Sequence, residues 1–270
     1  MKLLVVVAHP DDETFGTGSV IARAARNGAE VVVCCATHGE LGEARPDSVP
    51  DGATLAEVRA GELRDAAALL GANRVRLLNF EDSGWDGDCK PTSLVGAAFD
   101  DVVAAVREVV ADEQPDVVVT LDPSGGDGHR DHVRIAQATT AAFDEAAPEE
   151  ATLYYWCLVR SVMRRWIAHK SGSVYDEVPD DDFGCPDEHI TTVIDVADLL
   201  PLRLEAIGHH RSQASPYDDL PADLQAEFLA TDRLIRARPV WTDGPHESEL
   251  TARGRDLTPN TIPPTTRTDS

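Results

Sequence analysis

Short apolar runs rich in Val, Leu and Ile recur along this chain, and stretches with helical spacing separate them. Such runs, without polar alternation, are typical of parallel strands that are buried on both faces of a sheet. Alternating strands and helices predict an α/β fold: a Rossmann-like, doubly wound, mostly parallel sheet with helices on both faces. The five strand-like runs are KLLVVVA (2–8), EVVVCCA (30–36), RVRLLNF (74–80), DVVVTLD (116–122) and ATLYYWCLV (151–159).

The second half of the chain is less regular. Residues 171–189 are acidic and contain Gly and Pro, so we expect an exposed loop. The run HITTVIDV (189–196) predicts a late strand, and a helix follows it. Residues 243–270 are rich in Thr, Pro and Arg and hold few apolar residues. The sequence therefore predicts one domain over residues 1–242 and a poorly ordered C-terminal tail over residues 243–270.

The charge balance excludes several kinds of partner. The chain has 48 acidic residues against 24 Lys and Arg, a net charge of −24, so neither nucleic acid nor an anionic membrane surface is expected. No apolar run approaches the ~20 residues of a membrane span, and the first strand leaves no room for a signal peptide, so we expect a cytoplasmic protein. An acidic surface suits a salt-rich cell. GC-rich coding, which favours Arg over Lys, is an alternative account of the lysine scarcity.

Two polar clusters follow two of the predicted strands. AHPDDETFG (8–16) follows the first strand, and DPSGGDGHRDHV (122–133) follows the fourth. In a doubly wound sheet of order 3-2-1-4-5, ligands bind beyond the carboxyl ends of the strands, where the order reverses between strands one and four. Carboxylates crowded at a strand end repel each other and lose hydration, so a positive group should offset them. The sequence therefore predicts a divalent metal ion at this point.

The residue types and spacing fit a catalytic metal site with three protein ligands and an open position for water. His9 and Asp12 are three residues apart and can both turn inward from one tight loop. His129 and His132 are also three apart, and either can complete a His/Asp/His set while the other serves in acid chemistry. Asp11 is placed to take a proton from a metal-bound water.

The motifs AHPDDE (8–13) and GHRDHV (128–133) resemble those of the LmbE/PIG-L family of metal-dependent N-deacetylases. The resemblance covers about residues 3–215. It implies a Zn²⁺ cofactor, with other divalent metals as alternatives, and a small-molecule substrate that is an N-acetylated amino sugar or its conjugate. It also implies that acetate is released by hydrolysis of an amide.

The resemblance assigns roles to individual residues. It implies that His9, Asp12 and His132 are the zinc ligands and that Asp11 is the general base. Protonated His129 would hold the oxyanion or protonate the leaving amine, with Asp131 as its orienting partner.

Two further positions match the substrate-binding residues of the family's sugar deacetylases. Arg59 in EVRAGEL and Asp82 in FEDSG would bind substrate hydroxyls. A surface ion pair or a helix cap is the alternative for both residues.

Several positions depart from the family pattern or carry weaker expectations. Asp127 stands where the mycothiol branch has a tyrosine, which puts that branch's substrate in doubt, and Arg130 stands where proline is frequent. His210 and Gln213, in the segment HHRSQ, are candidates for a direct role. Glu13 is expected to brace the loop rather than to bind metal.

Three functions therefore stay open at the level of sequence. The first is a deacetylase of N-acetylated amino sugars, and the second is an amidase that acts on larger thiol or glycoside conjugates. The third is a non-catalytic Rossmann-like module that binds a sugar or nucleotide. The absence of GxGxxG and GxxxxGK[ST] motifs disfavours nucleotide binding. The sequence does not fix the oligomeric state, and a homo-oligomer is one of the alternatives.

Overall fold

The structure, a computed structural model, describes residues 1–124, 126–170, 183–242 and 244–252. Seven strands in these residues form one sheet. They are β1 (Lys2–Val7), β2 (Glu30–Thr37), β3 (Arg74–Phe80), β4 (Val117–Leu121), β5 (Thr152–Trp156), β6 (Thr192–Asp195) and β7 (Thr231–Arg238). The α-helices of the same residues are α1 (Asp12–Phe15), α2 (Gly18–Arg26), α3 (Leu55–Leu69), α4 (Phe99–Glu113), α5 (Arg130–Ala146), α6 (Arg160–His169), α7 (Leu200–Ile207) and α8 (Ala222–Leu229).

The strand order is β3-β2-β1-β4-β5-β7-β6. Strands β1 to β5 pair in parallel with one another, whereas β7 pairs antiparallel with both β5 and β6. Helix α7 packs with α2 and α3, and α4 packs with α5, which gives the sheet two helical layers. The predicted α/β fold is confirmed, and the order reverses between β1 and β4. The loops that follow these two strands therefore begin side by side.

The apolar runs form the central strands because only a site covered on both faces removes them from water. The side chains of β1 from Leu3 to Val7 are completely buried, as are all those of β2 after its first residue. Helix α3 begins at a capping box between Thr54 and Glu57, which satisfies two backbone donors of its first turn. After α3 the chain turns at Gly71, whose φ of +91° is a conformation that glycine adopts readily.

Helical spacing in the sequence predicts helices that begin near residues 94 and 132, and in the structure both begin elsewhere. Helix α4 begins at Phe99, because Leu94 donates its N–H to the carbonyl of Glu81 in a short bridge to the end of β3. Helix α5 begins at Arg130, with His129 as its N-cap. The second difference matters for the site, since it fixes His129 at the helix boundary.

The irregular second half contributes the antiparallel edge of the sheet. The predicted late strand is the shorter β6, and the sequence analysis missed β7, whose half-buried RLIRAR pattern mixes apolar and basic residues. Within the predicted exposed loop, residues 171–182 lie outside the described residues. Phe183 and Cys185 are buried, so that end of the predicted loop is part of the core.

Part of the predicted tail packs on the domain. Glu247 forms a backbone bridge with Thr192, and Leu250 and Ala252 are buried. The packed chain therefore extends past residue 242 to at least Ala252, while residues 253–270 lie outside the described residues. None of the helices described here is both long and apolar enough to cross a membrane.

Leu63→Ala should lower the free energy of unfolding by about 2–5 kcal/mol, because it removes a completely buried side chain of α3 and leaves a cavity. The matched control is Leu41→Ala, whose side chain is 62% exposed, and its cost should stay within about 0.5 kcal/mol. Denaturant unfolding measures both. Equal losses in the two variants would contradict the packing described for α3.

Candidate active site

The loops after β1 and β4 bring three potential ligands together. The Nδ1 atom of His9 lies 3.2 Å from Nε2 of His132. Asp12 places Oδ1 3.2 Å from that His132 nitrogen and Oδ2 3.6 Å from Nδ1 of His9. Oδ2 also accepts the N–H groups of Ala8 and His9, which fixes the carboxylate and turns Oδ1 toward His132. The three residues predicted as ligands therefore converge on one point.

A carboxylate holds the second nitrogen of each of these imidazoles. Nε2 of His9 lies 3.1 Å from Oδ2 of Asp131 and 3.6 Å from Oδ1 of Asp82. Nδ1 of His132 lies 2.7 Å from Oδ2 of Asp127. Such outer partners orient a metal-ligating histidine and raise its basicity. The sequence analysis noted Asp127 only as a departure from the family pattern and missed this contact, for which its place beside GH was the only signal.

The cluster strongly favours positive charge. Burial by itself lowers the pKa of both imidazoles, but the surrounding carboxylates more than compensate. The pKa of His132 rises to about 10, chiefly through Asp12 and Asp127, and the pKa of His9 rises well above its usual value. Burial by itself raises the pKa of Asp12, but His132 and His9 together hold that pKa well below its usual value. The carboxylates that follow β1 therefore favour positive charge at this point.

Asp11 occupies a backbone conformation that few residues adopt, with φ at +128°. Its N–H donates to Oε2 of Glu13, and its carbonyl accepts the N–H groups of Thr14 and Phe15, so the turn is braced from both sides. Glu13 thus has the bracing contact that was predicted for it. Backbone strain of this kind is concentrated at functional sites, where the surroundings impose it.

The side chain of Asp11 pairs with Arg59. The Nη2 atom of Arg59 lies 2.9 Å from Oδ2 of Asp11, and the guanidinium also donates to the carbonyls of Pro10 and Gly39. Burial raises the pKa of Asp11 to about 6, although Arg59 acts in the opposite direction. Arg59 is 3% exposed, so the structure places it behind the general-base candidate as its support. Its predicted contact with substrate hydroxyls stays a prediction, as does that of Asp82.

His129 packs edge-on against His9, with ring centroids 4.6 Å apart. Its Nδ1 accepts the N–H of Asp131, so the ring proton lies on Nε2. Burial, followed by the charges of His9 and His132, lowers the pKa of His129 to about 4. Part of this lowering depends on charge on the two other imidazoles, so the protonated His129 expected from the sequence stays a prediction.

The Asp131 carboxylate also differs from its expected role. Oδ2 contacts Nε2 of His9 and accepts the N–H of Ser83, so this carboxylate orients His9, while the backbone of the same residue orients His129. Asp131 is completely buried.

Two other candidates lie farther back. His210 pairs with Glu13 at 2.7 Å and so supports the loop on the side away from the cluster, and Gln213 donates to the carbonyl of Ser212.

The sequence analysis assigned no role to Trp85 or Arg130, and both border the site. The indole of Trp85 packs against the imidazole of His129, with ring centroids 5.2 Å apart. A cavity of about 190 Å³ adjoins Asp12 and His132.

A doubly wound sheet with a buried His/Asp cluster at its switch point defines an enzyme of the α/β class, and comparison with known proteins narrows that class. Residues 4–143 match the PIG-L family, described as GlcNAc-PI de-N-acetylase. The chain is 35% identical over 294 aligned positions to 1D-myo-inositol 2-acetamido-2-deoxy-α-D-glucopyranoside deacetylase of Rhodococcus jostii (strain RHA1), covering 95% of this chain and 97% of that one. The chain belongs to the PIG-L family and is an N-deacetylase, a hydrolase.

Solved structures share the fold at lower identity. The chain resembles GalB, the 4-carboxy-2-hydroxymuconate hydratase of Pseudomonas putida KT2440, with a TM-score of 0.60, 17% identity and coverage of 90% of this chain and 98% of the other. It also resembles the zinc-inhibited form of teicoplanin deacetylase Orf2, with a TM-score of 0.57, 20% identity and coverage of 87% and 98%. Because these neighbours include a hydratase and a deacetylase, the fold alone does not select the reaction.

Arg59→Met should lower the free energy of unfolding by about 3–5 kcal/mol, because it leaves the buried Asp11 carboxylate without its partner. In the double variant Asp11→Asn/Arg59→Met, the loss should be smaller than the sum of the single losses by at least about 1 kcal/mol. Denaturant unfolding of the three variants completes the cycle. Strictly additive losses would mean that the two side chains do not interact.

Proposed function

We propose that this enzyme is a zinc-dependent deacetylase that removes the acetyl group from an N-acetylated amino sugar or its conjugate. The observation that carries the proposal is the mutual placement of three donor atoms, one each from His9, Asp12 and His132, at separations of 3.2–3.6 Å. Ligands about 2.1 Å from a tetrahedral zinc ion lie about 3.4 Å from one another. The residues present therefore fit the ion.

The chemistry of the donors supports the same choice. Two imidazoles and one carboxylate are a ligand set found in catalytic zinc sites, which keep a further position open. His129 lies in the same cluster, but its Nδ1 already accepts the N–H of Asp131. We assign His129 to the substrate side for that reason.

When bound, the zinc ion polarises the amide carbonyl and lowers the pKa of a water molecule toward about 7. Asp11 accepts the proton of the attacking water, for which a pKa of about 6 is well matched. The bond from Arg59 to Oδ2 holds the carboxylate, and the strained turn fixes its direction. Asp11 then carries the proton that the leaving nitrogen needs.

His129 stabilises the developing oxyanion by donating a hydrogen bond from Nε2. Its Nδ1 is occupied by the N–H of Asp131, so Nε2–H is free to donate to the tetrahedral oxygen. A positioned donor of this kind is worth a factor of about 10²–10³ in rate. The C–N bond then breaks, the nitrogen takes the proton from Asp11, and acetate and a free amine leave.

The names of the relatives and the position of Asp82 support the substrate class. The relative from Rhodococcus jostii is named for an acetamido-glucopyranoside of inositol, and the teicoplanin deacetylase was solved in a zinc-inhibited form. Asp82, which is 6% exposed and close to His9, is the group that we place beside the sugar hydroxyls. We therefore propose a small-molecule amino-sugar glycoside as the substrate.

Asp11→Asn should lower kcat by about 10²–10⁴-fold while one equivalent of zinc stays bound, because the amide cannot accept the proton but leaves the ligands in place. Acetate release from N-acetylglucosamine and metal analysis of the same sample measure the two quantities. Asp65→Asn, an exposed position on α3, is the matched control and should keep both. Near-normal turnover of Asp11→Asn would remove Asp11 from the base role.

His132→Ala should lose stoichiometric zinc, whereas His129→Ala should keep the zinc and lose about 10²–10³-fold in kcat. The two histidines are neighbours at the start of one helix, so each is the control for the other. Metal analysis after dialysis against a weak chelator separates them. Loss of zinc from His129→Ala and retention by His132→Ala would reverse the assignment.

A further inference from the structure

A second group of potential metal-binding atoms lies beside the proposed zinc site and shares no residue with it. The side chains of Asp122, Cys157 and Cys185 place one carboxylate oxygen and two sulfur atoms within 4.8 Å of one another. We call these three residues the thiol cluster. All three are buried. They come from the end of β4, the end of β5 and the segment before β6, so sequence spacing gave no sign of the cluster.

Backbone hydrogen bonds hold the segments of the thiol cluster together. The N–H of Cys185 donates to the carbonyl of Leu158 at 2.8 Å, and the N–H of Arg160 donates to the carbonyl of Cys185 at 2.9 Å. The N–H of Gly184 donates to the carbonyl of Gly126, in the loop after β4, at 3.0 Å. The backbone around the cluster is therefore fixed before any ligand binds.

The two thiol groups make only long, weak hydrogen bonds in the described part of the chain. The Cys157 thiol lies 3.4 Å from the carbonyl of Tyr155, and the Cys185 thiol lies 3.4 Å from the carbonyl of Pro186. An S–H group is a weak donor, so little is lost when a metal ion takes the place of its proton.

The carboxylate of the cluster has hydrogen bonds but no ion pair. Oδ1 of Asp122 accepts the N–H of Ser124 at 3.0 Å, and Oδ2 accepts the hydroxyl of Ser124 at 2.6 Å. Asp122 is 8% exposed, and no Lys, Arg or His of the described residues pairs with it. The buried Asp232, by contrast, pairs with Arg203. A buried carboxylate without a cation beside it is unfavourable, and a metal ion would remove that cost.

We propose that the thiol cluster binds a second divalent metal ion of the zinc type, through the two sulfur atoms and one oxygen of Asp122. Thiolates select such an ion over Mg²⁺ and Ca²⁺. Sulfur and oxygen ligands of one tetrahedral zinc ion lie about 3.3–3.8 Å apart, so the donor atoms need to approach one another by no more than about 1.5 Å. With three protein ligands, the site is of the open kind in which water takes the fourth position.

Binding exchanges protons for the ion. One Zn²⁺ enters, two Zn–S bonds and one Zn–O bond form, and the two thiol protons leave to solvent. The formal charge of the cluster is unchanged, because two protons leave as one dication arrives. The ion therefore adds no net charge to the buried region, while it places positive charge next to the Asp122 carboxylate.

The cavity of about 190 Å³ gives an ion access to the cluster. Asp122 lines this cavity, together with aromatic side chains that include Trp156, Trp166 and Phe183. We call it the aromatic cavity. The same cavity touches Asp12 and His132, so the two proposed metal sites share one entrance.

A disulfide between Cys157 and Cys185 is the other chemistry that this pair allows. Its formation needs a thiolate to attack an oxidant, and burial favours the protonated thiol instead. A disulfide would also leave Asp122 without positive charge beside it. Both considerations favour the metal ion.

The test follows metal binding through sulfur, because the proposed active site has only nitrogen and oxygen ligands. Cd²⁺ replaces Zn²⁺ at thiolate sites, and its bonds to sulfur absorb ultraviolet light. Titration of the reduced protein with Cd²⁺ should raise this absorbance to a plateau, and added Zn²⁺ should lower it again by competition. Absorbance that never appears, or that rises without reaching a plateau, overturns the inference.

Single variants locate the ion. Cys157→Ala and Cys185→Ala should each abolish the absorbance, whereas Cys89→Ala removes a half-buried thiol outside the cluster and should keep it. Asp122→Asn should keep the absorbance and lower the affinity for Cd²⁺ about tenfold or more, since the amide brings no charge. A signal that persists in both cluster variants overturns the proposal.

A labelling experiment on the wild-type protein needs no variant. Zn²⁺ should slow alkylation of Cys157 and Cys185 at least about tenfold more than that of Cys34, a completely buried thiol on β2 that reports general stabilisation by the ion. Peptide mapping by mass spectrometry measures the three rates. Equal slowing at all three cysteines, or a disulfide between Cys157 and Cys185 in protein purified without reductant, contradicts the assignment.

His132→Ala separates failure of this inference from failure of the proposed function. It removes a ligand of the proposed active site and leaves the thiol cluster intact, so its sulfur-to-Cd²⁺ absorbance should reach a plateau at one equivalent. That plateau supports the second site whether or not the enzyme releases acetate. Loss of the absorbance in His132→Ala would mean that the two sites are not independent and would overturn the proposal.

Discussion

The structure of the site depends on one electrostatic constraint, the gathering of several carboxylates where β1 and β4 end. Asp12, Asp82, Asp127 and Asp131 lie around two imidazoles in a buried region, where repulsion between like charges is poorly screened. Positive charge between them is therefore required. His9 and His132 lie between these carboxylates, and the zinc ion of our proposal would supply the positive charge in the working enzyme. The same constraint explains why both histidines have carboxylate partners on their outer nitrogens.

A second set of contacts holds Asp11 in its unusual conformation. Arg59 binds its carboxylate and two neighbouring carbonyls, while Glu13, itself paired with His210, accepts its N–H. The side chains that brace Asp11 thus come from α3, from the turn itself and from the segment after α7. Contacts from such distant parts of the chain fix the direction of one carboxylate, which is the arrangement that a general base requires. The rest of the fold contributes to the chemistry by holding these segments.

The site also separates two kinds of surroundings across a single cluster. Asp11, Glu40 and Asp82 follow strands on the β3 side, whereas Trp156, Trp166 and Phe183 lie on or after β5; Trp85, which follows β3, also borders the aromatic cavity. This asymmetry is a property of the strand order, which places the loops after β1 and β4 between the two halves of the sheet.

The sequence by itself determined the parallel core strands, because apolar periodicity is a local signal. The strand order 3-2-1-4-5 that is common in doubly wound sheets then predicted the convergence of HPDD with HRDH. The sequence did not determine β7, the late start of α4 or the burial of residues 183–185, whose structure depends on pairing with distant segments. Within the site, only the tertiary structure assigned the Asp131 carboxylate to His9, Asp127 to His132 and Arg59 to Asp11. It also placed His129 where burial and the neighbouring imidazoles lower its pKa. Those contacts join residues from different loops, and sequence spacing carries no information about which carboxylate faces which nitrogen.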